Sequence, residues 1–169
     1  MAEQRHKTEL EITADNQHEA ALQAYIDKMS ELILENDLRN SIDDDAEVRK
    51  ISRVRTLTVL RRLDATRKAN VLQLLYEAGL IDKKKRIINL ERANLSNADL
   101  SNTDLNKANL SGNDLSGADL GWAELSGAIL VGANLFRAEL SGAILGGADL
   151  DWTNLSNADL RGAELSGAE

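Results

Sequence analysis

Residues 93–112 read ANLSNADLSNTDLNKANLSG, and the leucines in this stretch, Leu95, Leu100, Leu105 and Leu110, stand five apart. The spacing holds in both directions. The full ladder is Leu90, Leu95, Leu100, Leu105, Leu110, Leu115, Leu120, Leu125, Leu130, Leu135, Leu140, Leu145, Leu150, Leu155, Leu160 and Leu165. Sixteen pentads fill residues 88–167, and Ala168-Glu169 opens another. A fixed internal period dictates architecture before any other feature. On an α-helix, steps of five turn about 140°, so the leucines would spiral around the axis without forming an apolar stripe. On a flat strand, an odd step alternates faces and leaves half of them in water. Every leucine is buried only if the chain turns a corner once per pentad.

The residues around each leucine support that corner. The two that follow it stand at the middle of a four-residue turn. The second is Gly in eight pentads and Asn in three. A type II turn needs positive φ there, which Gly and Asn tolerate. The five remaining corners, at Arg92, Lys107, Trp122, Arg137 and Trp152, are expected to adopt a different turn type. Two positions before the leucine, Ala occurs in twelve of sixteen pentads, which marks an interior slot with no room for more. Asn113 puts a polar amide in that slot. It either bonds backbone inside the coil or loosens its corner. Thr103 and Thr153 are milder departures.

These residues resemble the pentapeptide repeat family, whose pattern is A(D/N)LXX. The resemblance covers residues 88–169. It implies an all-β solenoid, a right-handed quadrilateral β-helix with four pentads per coil and hence four coils. At strand spacing of about 4.8 Å per coil the rod would be roughly 19 Å long. The leucine and the small residue point inward in the family, and the other three positions point out. Residues twenty apart then share a face.

The first half of the chain has a different texture. Leu22, Tyr25, Ile26, Met29, Leu32 and Ile33 fall at helical spacing. The reading is a polar tail over 1–15 and an α-helical region of about three helices over 16–87. The first helix spans about 16–37, capped by Asp15 or Asn16, and a loop follows over 38–44. The second covers 45–62, with Asp43–Asp45 and Glu47 at its positive end and Arg61 and Arg62 at its negative end. The third covers 65–78, with Asp64 as its cap and Gly79 at its stop. A polar connection, 82–86, leads into the repeat at Ile87-Ile88. The first coil of a solenoid exposes core leucines and unpaired strand edges, so helices two and three are expected to cap it. The stretch 16–88 also resembles a segment ahead of the repeats in some cyanobacterial pentapeptide repeat proteins, where membrane-spanning segments can precede it. That resemblance would make residues 1–14 the juxtamembrane part of a longer protein. It implies a cytoplasmic module whose only membrane link is a preceding segment. At the other end the repeat reaches Glu169 in register, with no helix, Pro or charge cluster to close it. Either two chains stack there end to end as a homodimer, or a longer repeat has been cut.

The chain has no Cys and no Pro, which excludes a disulfide framework and Cys-based metal sites. No apolar run approaches the length of a membrane span. The net charge of −8 sits wholly on the repeat, since residues 90–169 hold 12 acidic and 4 basic side chains. Residues 49–68 are basic, with Arg49, Lys50, Arg53, Arg55, Arg61, Arg62, Arg67 and Lys68 against Asp64. Without aromatic interleaving or a reading motif they are taken as a solvated face partly paired with the acidic repeat, not as a nucleic-acid site. His6 and His18 are read as solvent-facing, with no third ligand in view. Serines are plentiful, but no His or Cys in the repeat could activate them. The chain is read as a non-enzyme with no cofactor and no metal.

Two surface features remain. With twenty residues per coil, Asp99, Asp119, Glu139 and Asp159 line one face, and Asp104, Glu124 and Glu164 line its neighbour with Ile144. Ile129, Val131 and Phe136 occupy outward positions in the third coil, and Trp152 stands at a corner one coil on. This is a candidate apolar contact patch. The favoured reading is a protein–protein interaction module or scaffold of unknown partner. The alternative is a DNA mimic binding DNA gyrase or another topoisomerase, as some members of the family do. Net −8 over roughly 19 Å is about one charge per 2.4 Å, against about one per 1.7 Å in duplex DNA. Against the mimic, the run has no inserted loops, and every central residue is Leu where gyrase-protecting members use Phe at some positions. A pure spacer role is the third reading.

Overall fold

The computed structural model describes residues 2–35, 38–41, 46–82, 84–85 and 87–169. In the repeat, the second residue after every ladder leucine has φ between +54° and +71°. The turn is closed by a bond back to the leucine, as where the Ala93 N–H donates to the Leu90 carbonyl at 2.7 Å. This corrects the expectation for the five unusual corners. Arg92, Lys107, Trp122, Arg137 and Trp152 have φ of 67°, 62°, 59°, 57° and 60°, the same left-handed conformation as the glycines. A left-handed L-residue costs roughly 1–2 kcal/mol. The stack imposes that cost, because the corner amide donates to the next circuit, as where the Trp122 N–H meets the Ser141 carbonyl at 2.9 Å.

Parallel bridges join residues twenty apart. One face runs Asn94, Asp114, Asn134, Asn154, and another runs Asp99, Asp119, Glu139, Asp159. Twenty residues therefore make one circuit. The backbone polar groups are spent between circuits: the Leu95 N–H donates to the Asp114 carbonyl at 2.8 Å, and the Asp114 N–H to the Ala93 carbonyl at 3.0 Å. Inside, every ladder leucine from Leu95 to Leu145 is at most 1% exposed. Burial then fades through Leu150, Leu155 and Leu160 to Leu165, which is 40% exposed.

The three departures in the small-residue slot resolve differently. The Thr103 hydroxyl donates to the Leu100 carbonyl at 2.7 Å, and the Thr153 hydroxyl to the Leu130 carbonyl at 2.8 Å. Asn113 is 1% exposed, and neither atom of its amide has a hydrogen-bond partner. Its turn bond to Leu110 is 3.3 Å, as is that of Thr103 to Leu100, against 2.7–3.1 Å at the alanine corners, so both of these corners are loosened.

Ahead of the repeat stand α1 (Ala2–Leu34), a 3-10 turn (Leu38–Asn40), α2 (Glu47–Leu60) and α3 (Ala65–Glu77). Helix α1 carries the stripe Leu22, Tyr25, Met29 and Leu32 into the core against α2, where the Tyr25 hydroxyl meets the Thr56 hydroxyl at 2.9 Å. Residues 1–15 do not form a separate tail: from Ala2 they continue α1. Residues 4–17 are exposed all round, so no apolar stripe marks them. The segment after α1 is also not simply a loop, because Leu38 is fully buried in a 3-10 turn. The expected place of Asp43–Asp45 at the head of α2 lies outside the described residues. Asp64 caps α3, its side chain accepting from the Arg67 N–H at 2.9 Å. Gly79 follows with φ of +69°.

Each face of the first circuit receives a bond from the helical region. The Arg53 guanidinium donates to the Asn89 and Glu91 carbonyls, both at 3.0 Å. The Lys68 ammonium donates to the Asn94 side chain at 3.1 Å and to the Ser96 carbonyl at 2.7 Å. The Ala65 carbonyl accepts from the Asp99 N–H at 3.3 Å, and the Ile81 carbonyl from the Asn109 N–H at 2.8 Å. The Tyr76 hydroxyl donates to the Asp104 carboxylate at 2.8 Å. One apolar core runs continuously from Leu22 through Leu75, Leu80 and Ile81 into the ladder.

Candidate functional site

The outward residue before each leucine has a structural duty that its polarity alone does not reveal. All eleven Asp and Asn residues at this position accept, through their own Oδ1, the N–H two residues on, at 2.7–3.4 Å. This local loop holds the entry to the corner. No such bond forms at Glu124, Glu139 and Glu164, whose side chains are one carbon longer, or at Ile129 and Ile144, which have no acceptor. Sequence reasoning treated the position as merely polar. The detectable signal was the preference for the two residues with an oxygen on Cγ.

The acidic face is therefore partly committed to architecture. Asp99, Asp119 and Asp159 each accept a corner N–H, as does Asp104 on the neighbouring face. Asp159 also holds Arg161, with the Nη2 donating at 2.7 Å. Hydrogen bonds from the Arg161 side chain and backbone keep that carboxyl below its ordinary value. Asp104 takes the Tyr76 hydroxyl, whose pKa is pushed up to about 12, by burial first and then by its bond to the carboxylate. The glutamates engage only side chains: Glu139 accepts from Ser141 at 3.1 Å and Glu124 from Asn106 at 2.9 Å.

The apolar candidates are not one uniform patch. Ile129, Val131 and Phe136 are half-buried, and the Arg137 guanidinium lies 4.9 Å from the Phe136 ring centre. Trp152 is 91% exposed. A Cβ on Gly132, one circuit below Trp152, would meet nothing within 4 Å, so the indole does not lie back over the Val131 corner. Two exposed residues on other faces join the inventory. Ile144 is 38% exposed, and Trp122 is 70% exposed with its ring laid on Gly142, where a Cβ would fall 2.7 Å from the indole.

The basic stretch is a solvated face only in part: Lys50, Arg55, Arg61 and Arg62 are exposed, and the others are half-buried or buried. Arg49 and Lys68 are each 8% exposed. Arg67 binds Asp15, Glu19 and Asp64 within the helical region. Arg53 and Lys68 reach the repeat at backbone carbonyls and at the Asn94 side chain. His18 is also not free in solvent: it is half-buried, with Nδ1 3.1 Å from the Asp64 carboxylate. Burial pushes the Asp64 carboxyl up, but the Arg67 backbone N–H, the Arg67 guanidinium and His18 outweigh that and hold it below its ordinary value. No helix among the described residues is long and apolar enough to cross a membrane.

A family model for pentapeptide repeats matches residues 93–132 and 133–169, in 8 copies. Among solved structures, the chain is similar to HetL, a pentapeptide repeat protein involved in heterocyst differentiation regulation in the cyanobacterium Nostoc sp. strain PCC 7120. Identity is 45% over 45% of this chain and 35% of that one, with a TM-score of 0.45. It is 42% identical to the pentapeptide repeat protein Rfr23 of the cyanobacterium Cyanothece 51142, over 45% of this chain and 50% of that one, at TM-score 0.42. It is 38% identical to alr5209, a pentapeptide repeat protein of Nostoc PCC 7120, over 59% of this chain and 72% of that one, at TM-score 0.47. The chain thus spans about a third of HetL and half of Rfr23. No curated protein is significantly similar to it.

Proposed function

The chain belongs to the pentapeptide repeat family, and from that premise we propose that it is a non-catalytic protein–protein interaction module. In this reading sixteen pentads wind into four coils, a scaffold whose N-terminal helices serve as its cap. The observation that supports this most is the pair Ile129 and Ile144. They occupy the slot in which eleven Asp and Asn residues tie down their corners. An isoleucine there forfeits a corner bond and places apolar surface in water. It contributes nothing to the corner, so a contact outside the chain accounts for it. Ile129 and Ile144 stand on adjacent faces, and Val131 follows Ile129 at the next corner. The partner is a protein surface with an apolar pocket and basic groups around it, matching the surrounding acids. The module works in the cytoplasm, alone or as the water-exposed part of a membrane-linked protein.

A second reading draws on the acidic ladder. Asp99, Asp119, Glu139 and Asp159 repeat along one face in the regular manner of a phosphate backbone, as a DNA mimic bound by a topoisomerase requires. Arg161 counts against it, because it neutralises the last step of that ladder.

Affinity capture from a lysate of the source organism separates the two. It needs wild-type chain, a Val131→Ser/Phe136→Ser variant and an Asp119→Asn/Glu139→Gln variant. The acidic variant keeps the corner bond of position 119, because Asn also accepts it. A partner lost only with the apolar variant supports the interaction module. A topoisomerase lost only with the acidic variant replaces it with the DNA mimic. The absence of a specific partner for every form would sink both readings and leave a spacer.

A further inference from the structure

The second half of α2 packs one side on α1, where Tyr25 meets Thr56, and presents an aliphatic stripe on the other. Val54 is 60% exposed, Ile51 is exposed one turn before it, and the exposed Thr58 spends its hydroxyl on the Val54 carbonyl at 2.7 Å. Valine and isoleucine are poorer helix formers than alanine, so forming α2 does not account for them in water. At helical spacing Arg55 falls on one side of the stripe and Arg61 on the other, and Arg62 follows just past the helix end. All three arginines are exposed, and none meets a carboxylate among the described residues.

The complement to this surface stands on the repeat. The exposed Ile144 lies between Glu124 and Glu164, its bridge partners on the circuits before and after. Both glutamates are exposed, and neither carboxylate is held by a corner N–H; that of Glu124 accepts only the Asn106 amide. The corner after Ile144 is Gly146-Gly147. Gly147 has φ of +64°, which favours glycine, but Gly146 does not share that conformation, and a Cβ there would meet nothing nearer than 3.8 Å. The fold therefore does not require glycine at 146, and the missing side chain leaves room beside Ile144 for an approaching helix. The spacings also agree. Glu124 and Glu164 stand two circuits apart, about 10 Å at strand spacing. Arg55 and Arg61 stand six residues apart, about 9 Å along the helix. Each pair of charges brackets an aliphatic centre. The two surfaces cannot meet within one chain, because Arg53 fixes α2 on the first circuit at Asn89 and Glu91, and Ile144 lies two circuits on from Asp104.

We propose that the outer side of α2 docks on the Glu124–Ile144–Glu164 strip of a second copy of this chain, with the helix along the solenoid axis. This names the partner of Ile144, and it rests on the reading of that residue as a contact outside the chain. Unlike surfaces meet, so each copy offers one of each. An anionic membrane would also suit the arginines, but it would repel the acidic repeat that the same chain carries.

Sedimentation of the purified full chain over a concentration series, at low and high salt, tests this. The variants are Arg55→Glu/Arg61→Glu, Glu124→Lys/Glu164→Lys and Ile144→Ser, with circular dichroism melting as the check that each is folded. The expected result is reversible association of the wild-type chain that weakens as salt rises. Each variant alone should associate about tenfold or more weakly. An equimolar mixture of the two charge-reversed chains should recover association, because each then supplies the complement that the other lacks. A chain that is monomeric at every concentration overturns the proposal and leaves the interaction module standing, since capture from a lysate does not depend on self-association. Association that the reversals leave unchanged, or that the mixture fails to recover, overturns it as well. A monomer that binds phosphatidylserine vesicles, and loses that binding in Arg55→Glu/Arg61→Glu, would put a membrane in place of the second copy.

Discussion

In the repeat, a residue's role follows from its place within the pentad. In the helical region it follows from whatever lies across from it in space. Leu120 and Leu72 are both fully buried, but Leu120 repeats an environment that its neighbours at Leu100 and Leu140 share, whereas Leu72 fills a site that occurs once. The difference teaches where information sits. A period can be read from one sequence because each pentad restates the same local problem. A docked helix has one instance of each contact, and nothing in the chain repeats it.

The comparison can be broken most severely at the ladder. Leu120→Ala should cost about 3–5 kcal/mol, since a stacked core cannot collapse around the void, while Leu165→Ala should cost below about 1 kcal/mol. Urea denaturation curves check both, and equal costs would show that burial along the ladder is not graded. At the junction, Lys68→Ala leaves the Ser96 carbonyl without its donor. The expected loss is about 2 kcal/mol, with faster hydrogen exchange at amides 94–100 and little change beyond residue 140. A uniform rise in exchange would mean that helices and repeat unfold as one unit.

Asn113→Ala runs the other way. It removes a buried amide with no partner and restores the residue of twelve other pentads, so stability should rise by about 1–2 kcal/mol. The smallest effect concerns acid. The folded Asp64 carboxyl titrates below its unfolded value of about 3.9. Its contribution is therefore complete above about pH 4 and is lost as pH falls through the folded value. Circular dichroism of Asp64→Asn should show lower stability at neutral pH and a shallower loss of helix below pH 4, with the repeat unaffected.

Much of the architecture was legible before any coordinates. The ladder, the turn at each corner and the interior alanines follow from spacing and size alone. So did the stripe from Leu22 to Leu32 and the cap at Asp64. What was hidden has a common cause. Trp122 and Arg92 adopt positive φ because circuits stacked against them fix the corner, which outweighs local preference. Arg49 and Lys68 read as solvated because each donates to a backbone carbonyl, and every residue carries one of those regardless of its letter. Residues 4–17 form a helix with no buried face, so no apolar period marked them. For the candidate site, outward apolar residues could be named, but the half-burial of Phe136 under Arg137 and the separation of Trp152 from Val131 depend on side-chain directions that spacing does not carry.

The register that bridges residue i to residue i+20 has a consequence for how such a chain can change over generations. Duplicating a block of twenty residues lengthens the rod and leaves every downstream side chain on its old face. Duplicating a single pentad also keeps the core intact, but it rotates everything beyond it by a quarter turn, so that a partner gripping two heights at once loses one of them. Inserting a number of residues that is not a multiple of five throws the leucines beyond it out of the interior, unless the extra residues loop out at a corner. Selection on this surface therefore works in two step sizes, one that conserves a binding face and one that reshuffles it, and both leave the fold untouched.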